Sequence, residues 1–300
     1  MHFRSSLLLP ILILAMLWAC QNPQKGNIKS DLELRNLRGN VKTITEINYT
    51  VSGKYQTTIL FNENGFITEQ ATYNPDGSLI RKWVNEYDDQ NRQLSRHCYV
   101  LDDSLSYILH YLYNGHGKLA FTHLHAPDGT LITKYATQYD DRQNVIKETA
   151  LAEDATFKYL VLHTYDNQNK VAEEIYIDSV RNNTYKQIYG YNSESLINEI
   201  SLKSPDDSLI KKTKYTYMAD KKLDKAFNYN ARGELISVKS YTYDKLSNVV
   251  EIMELFSKDK THSIHTFQYS YDHQGNWTFL SESVNHEPGK ILTRDIGYYN

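Results

Sequence analysis

One spacing constrains this chain more than any other feature: an aromatic residue that precedes a turn returns every 26 residues. The series Phe61, Tyr87, Tyr113, Tyr139, Tyr165, Tyr191, Tyr217 and Tyr243 runs without drift. The same interval before Phe61 reaches Arg35, followed by a turn of the same type at Asn36 to Val41. On the far side Tyr271 stands 28 residues after Tyr243, a two-residue insertion. About ten units of 26 residues thus run from near residue 35 to Asn300. A fixed period of this length signals units that bury their apolar faces only against their neighbours.

Each unit holds two turns. The first follows the aromatic, as in Asn62-Glu63-Asn64-Gly65 and Asp166-Asn167-Gln168-Asn169. The second lies half a period later, as in Pro75-Asp76-Gly77-Ser78 and Pro127-Asp128-Gly129-Thr130. Asp or Asn opening a turn accepts backbone hydrogen bonds, Pro presets φ, and Gly or Asn tolerates the left-handed position. Between turns lie alternating runs such as Val41, Thr43, Thr45, Ile47 and Leu235, Ser237, Lys239, Tyr241, a period of two that means strand. No helical period is expected after residue 30.

The expected fold is all-β: an extended antiparallel meander of about twenty strands, each paired to its sequence neighbour. Right-handed twist should coil so long a sheet into a spiral or curved trough. Stacking the units aligns apolar columns. One is the pre-turn aromatic, and another, two residues earlier, holds Tyr111, His163, Tyr189, Tyr215, Tyr241 and Tyr269. The 25 tyrosines, against 9 Phe and 3 Trp, suit a half-buried sheet face on which rings pack and hydroxyls stay wet.

The N-terminus reads as an address. Arg4 precedes an apolar run from Leu7 to Trp18, too short for a spanning helix. Leu17-Trp18-Ala19-Cys20 resembles a bacterial lipobox, with Trp18 departing from the usual small residue. The resemblance implies a signal peptide over 1–19 and a lipidated Cys20. A tether would then occupy 20–34 ahead of the repeat domain over 35–300. With Cys20 acylated, Cys98 is left without an intramolecular disulfide partner and reads as a half-buried small hydrophobe.

The sequence carries no phosphate loop, nucleophile elbow, zinc-protease helix or calcium-loop spacing. A net charge of -3 gives no basic surface for nucleic acid. His97, His110 and His123 are spaced by 13, half a period, the arrangement of a cross-strand metal ladder. Three-residue loops, however, shift register by one and should put His110 on the opposite face, so no metal or cofactor site and no catalytic residue is expected.

Tyr243-Asp244 through Asn248-Val249, Tyr271-Asp272 through Gly275-Asn276-Trp277 and Asn230-Ala231-Arg232-Gly233-Glu234-Leu235 are similar to YD repeats of the RHS type, as in Bacteroidetes lipoproteins with degenerate YD repeats. The resemblance covers nearly all of the chain after residue 35. It implies a long sheet that winds on itself; large RHS proteins form a shell around a C-terminal toxin. The repeats here run to Asn300, so no toxin domain is expected behind them. Asp103-Ser104-Leu105, Asp178-Ser179-Val180 and Asp207-Ser208-Leu209 resemble the Bacteroidetes O-glycosylation pattern, which implies glycans on Ser104, Ser179 and Ser208; plain turn chemistry accounts for the same pairs.

Together these readings describe a non-enzymatic, lipid-anchored protein of the cell envelope, outer membrane in type, either periplasmic or surface-facing. It would act as a binding or structural scaffold with a protein or glycan ligand on its sheet face. One alternative is a carbohydrate-binding surface lipoprotein that uses tyrosine ladders. Another is an accessory or immunity component of an RHS toxin system.

Overall fold

A computed structural model describes residues 28–300. The proposed signal peptide, Cys20 and most of the tether lie outside these residues. The chain opens with a one-turn helix, α1 (Asp31–Leu34), a short exception to the expected lack of helix after residue 30. Its signal is a capping box: Ser30 accepts from the Glu33 amide while the Glu33 side chain accepts from the Ser30 amide.

Twenty strands follow. They are β1 (Val41–Thr50), β2 (Gly53–Phe61), β3 (Ile67–Tyr73), β4 (Leu79–Tyr87), β5 (Gln93–Val100), β6 (Ser104–Tyr113), β7 (Leu119–His125), β8 (Leu131–Tyr139), β9 (Val145–Ala152) and β10 (Phe157–Tyr165). The second half comprises β11 (Val171–Asp178), β12 (Asn183–Tyr191), β13 (Ile197–Lys203), β14 (Leu209–Tyr217), β15 (Leu223–Tyr229), β16 (Leu235–Tyr243), β17 (Val249–Phe256), β18 (His262–Tyr271), β19 (Trp277–Val284) and β20 (Glu287–Tyr298).

Every strand pairs antiparallel with its sequence neighbours, as expected, but the sheet is neither a spiral nor an open trough. β1 also pairs with β20, from Ile44 opposite Ile296 to Tyr49 opposite Ile291, so the meander closes into a β-barrel. Closure satisfies the two rows of backbone groups that an open sheet would leave unpaired at its edges. It is reached through a steady stagger. Ala226 faces Lys239 and Lys239 faces Glu254, two residues beyond Ile252, the repeat-equivalent of Ala226. Stagger of this kind tilts strands against the barrel axis and lets the ends of the sheet meet.

The turns are built as the sequence indicates. Asp88 accepts from the amides of Gln90 and Arg92, both at 2.9 Å, and Asn91 between them takes φ 59°. Asn62, Asn114, Asp166, Asn192, Asp244 and Asp272 repeat the pattern. Gly is not essential at the left-handed position: Gln143, Ser195, Lys221 and Ser247 also adopt it. The meander gathers all first turns at one rim and all second turns at the other.

A register shift accompanies almost every hairpin, for example between Leu112 and Tyr113. It absorbs the odd loop residue and preserves side-chain parity. This overturns the expected placement of His110. The residue lies directly opposite His123, and His97 lies on the same face one strand away, opposite Ile108.

The two faces differ. One carries the buried side chains Ile44, Ile59, Asn85, Cys98, Ala150, Val161 and Leu292. The other carries the exposed Leu60, Leu112, Ile132, Ile210, Ile236 and Leu255. Inward side chains converge and screen one another while outward ones diverge, so the first face is the lumen wall. The close backbone contacts between elements run between ring neighbours. The barrel's one hydrophobic cluster among the described residues sits at the seam, where Val41, Ile44, Ile59, Phe61 and Ile67 gather with Leu32, Leu37, Ile296 and Tyr298. α1 is held there by the Ile67 amide donating to Asp31 at 2.7 Å and the Leu32 amide donating to the Gly65 carbonyl at 3.2 Å. The chain therefore enters at the first-turn rim.

Candidate functional site on the lumen wall

A barrel of this strand number exceeds the size at which side chains alone fill the interior, so its wall is a concave surface able to receive a ligand. Tyrosine dominates that wall, and its hydroxyls have a repeated partner. Tyr87 Oη donates to the Ile67 carbonyl at 2.9 Å, twenty residues back. Tyr113 to Gln93, Tyr139 to Leu119, Tyr165 to Val145, Tyr191 to Val171, Tyr217 to Ile197 and Tyr243 to Leu223 follow the same rule at 2.6–2.9 Å. In the unit with the insertion Tyr269 takes this role on Val249, while Tyr271 donates to Asp244. Each ring is thereby strapped across the wall, its hydroxyl spent on backbone and its ring available for packing. Burial raises Tyr165 to about 12. These hydroxyls stay protonated donors at neutral pH.

The sharpest polar cluster interrupts this ladder. His163 occupies the column that elsewhere holds Tyr111, Tyr189 and Tyr215. Its Nε2 lies 3.1 Å from Glu148 Oε2, and its Nδ1 stands 3.1 Å from Glu174 Oε1, an ion-pair distance off the hydrogen-bond direction. β9, β10 and β11 supply the three residues, with His163 directly opposite Glu174. Tyr176 and Tyr189 donate to the other Glu174 oxygen at 2.6 and 2.5 Å. Burial works against a charged His163, but the flanking carboxylates outweigh it and raise the imidazole to about 9. Burial likewise works against the Glu174 anion, and the histidine and the two phenols hold its carboxyl below the ordinary value. Three charges are thus held in a wall where Glu174 is 1% exposed. Both carboxylates accept from donors of neighbouring strands, so the cluster ties β9, β10, β11 and β12 together as an ionic strap. Glu148 and Glu174 are one repeat apart around the one histidine of a tyrosine column. That signal lies in the sequence, but it acquires meaning only once the strand register sets both acids against the ring.

Further polar pairs line the same face: Arg294 with Glu46 at 2.9 Å, Lys239 with Glu254 at 3.4 Å and His265 with Glu282 at 2.8 Å. The outer wall is also charged at mid-strand, where Lys82, Lys134, Lys186 and Lys212 stand, with Lys214 3.6 Å from Glu199. A lipid-facing barrel instead presents an apolar band about 25 Å tall, in which a midplane lysine costs about 2–4 kcal/mol.

Ser104, Ser179 and Ser208 lie in separate hairpins along the second-turn rim, and all three are exposed. Ser179 Oγ donates to the carbonyls of Phe157 and Lys158 at 2.6 and 2.9 Å. Ser208 Oγ donates to Asp206 at 3.1 Å. Cys98 is 1% exposed, deeper than its sequence pattern indicates. Among the described residues no group of three or more His, Cys, Asp or Glu side chains is arranged to hold a metal ion, and no helix is long and apolar enough to cross a membrane.

No family model and no curated protein matches the chain. Solved structures resemble it in β-structure. A crystal structure of TcdB2-TccC3-Cdc42 aligns with a TM-score of 0.44 and 14% identity, over 84% of this chain and 16% of that one. A porin-like protein from Bacteroides uniformis aligns with a TM-score of 0.41 and 11% identity, over 86% of this chain and 96% of that one. A porin-like protein from Bacteroides vulgatus gives 0.33 and 10%, over 86% and 98%. The chain spans less than a fifth of the toxin-complex chain it matches. A closed antiparallel β-barrel is compatible with an outer-membrane or envelope location.

Proposed function

We propose that this protein is a non-enzymatic, lipid-anchored barrel of the bacterial cell envelope that serves as a binding scaffold, with the lumen wall as its receiving surface. The observation that carries the reading is the contrast between the faces. The inner wall offers strapped tyrosine rings on a concave face, while lysines stand at mid-strand on the outside. Such a barrel lies beside a membrane and not across it. Its units are RHS-type YD repeats by this reading. Lipidation at Cys20 turns the first-turn rim, where the chain enters, toward the bilayer. Ser104, Ser179 and Ser208 then face away, on the rim open to glycosylation.

Carbohydrate is the second reading for the ligand, favoured by paired rings such as Tyr176 and Tyr185, whose centroids lie 4.7 Å apart in a stacked arrangement on the inner face. Aromatic faces of this kind suit the apolar faces of sugars.

Two experiments test the proposal. Labelled palmitate should enter the wild type and not Cys20→Ser, which should leave the membrane fraction; unchanged fractionation would refute the anchor. Glycan and peptide arrays probed with the purified barrel should give signals that weaken in Tyr176→Ala; absence of binding on both arrays refutes the lumen as a receptor.

A further inference from the structure

The register that overturned the placement of His110 creates a second polar feature, on the outer wall. Cross-strand partners run around the barrel as Glu86, Ser95, His110, His123 and Lys134. His125 lies two residues beyond His123 on the same strand and face. The ring centroids of His110 and His125 are 5.2 Å apart, and those of His123 and His125 are 6.0 Å apart. Two imidazoles bound to one tetrahedral ion at about 2.0–2.1 Å place their centroids about 5 Å apart. Nε2 of His123 and Nδ1 of His125 are both buried without a hydrogen-bond partner. Orphan ring nitrogens on neighbouring histidines are costly unless something completes them.

We propose that His110, His123 and His125 form a binding site for a divalent transition-metal ion of the zinc class, with water in the fourth position. The residue types fit. Neutral imidazole is the ligand such ions prefer, and no thiolate or oxygen cage selects a softer or harder ion. His110 is exposed, so an ion has a path to the site. The ring nitrogens do not yet converge on one point, and closing the site requires side-chain rotation while the strand register supplies the frame. Ser95, opposite His110, donates to Glu86 at 2.7 Å and places a carboxylate behind the site. His97 is excluded, because its ring stacks toward Tyr99 at 6.5 Å.

The test is titration of the untagged full-length protein, stripped with chelator, with zinc chloride in a calorimeter. One ion per chain should bind, and His110→Ala, His123→Gln and His125→Gln should each weaken binding by at least about tenfold. His97→Ala should bind as the wild type. A spectrum of the wild type loaded with cobalt(II) gives a readout that needs no variant: visible bands of a tetrahedral nitrogen site are expected. No heat of binding, zinc binding equal in all three variants, loss in His97→Ala alone, or a purely octahedral cobalt spectrum would each overturn the site.

Discussion

Arg294 on β20 donates its Nε to Glu46 on β1 at 2.9 Å, joining the last strand to the first across 248 residues of sequence. The guanidinium also lies over the Trp277 ring, 3.3 Å from its centroid. Both partners are largely screened from water, with side chains 17% and 25% exposed. The pair sits on the inner face at the seam, the one junction of the ring that joins strands far apart in sequence. Arg294→Ala should destabilise the protein by about 1–3 kcal/mol through the lost charge-assisted bond and ring contact. Hydrogen exchange should rise first in β1 and β20. Uniform acceleration around the ring would show that the seam is no weaker than any other pairing.

Tyr165→Phe removes one strap, the bond to the Val145 carbonyl, and keeps the ring. The expected cost is about 0.5–1.5 kcal/mol in urea unfolding. Tyr165→Ala should cost about 3 kcal/mol, because the ring contacts go as well. Similar losses in both variants would mean that the hydroxyl, not the ring, carries the ladder.

The histidine strap gives the protein an alkaline limit. Folded His163 is raised from 6.5 to about 9, so its contribution is complete below about pH 6.5 and is lost as pH rises through about 9. Glu174 is lowered, so its contribution is present above its ordinary 4.5 and is lost as pH falls. Urea midpoints should therefore plateau between these limits and decline on both sides. His163→Gln alone should be severely destabilised, by about 3–5 kcal/mol, because it leaves buried carboxylates uncompensated. His163→Gln/Glu174→Gln should recover part of that loss and flatten the alkaline decline. A decline unchanged in the double variant would assign it elsewhere.

Two glycines separate backbone strain from packing. Gly129 has φ +88° with nothing within 4 Å of where a Cβ would stand, so Gly129→Ala should cost about 1–2 kcal/mol from the left-handed backbone alone. Gly65 has φ +81°, and an added Cβ would meet Leu32 Cδ1 at 3.0 Å. Gly65→Ala should cost more and should expose α1 to protease. Equal melting temperatures for the two variants would argue that α1 does not rest on this turn.

The hairpin ladder was legible because its causes are local. The residues that open and close each turn, such as Asp88 and Asn91, act within five positions of each other, and strand alternation needs only period two. The His163 strap was less legible. Its three residues are spread over three strands, and only the register tells which of the neighbouring acids face the imidazole. The error over His110 has the same root: the shift beside Tyr113 is a backbone irregularity with no residue type of its own.

From the sequence alone follow the repeat, the strand count, neighbour pairing and the choice of turn residues, all fixed by short-range sterics and hydrogen bonding. The tertiary structure decided closure, because the meeting of β1 with β20 depends on stagger summed over the whole ring, a quantity no single unit encodes. It also decided which face became the lumen, and so which tyrosines, carboxylates and histidines share one surface.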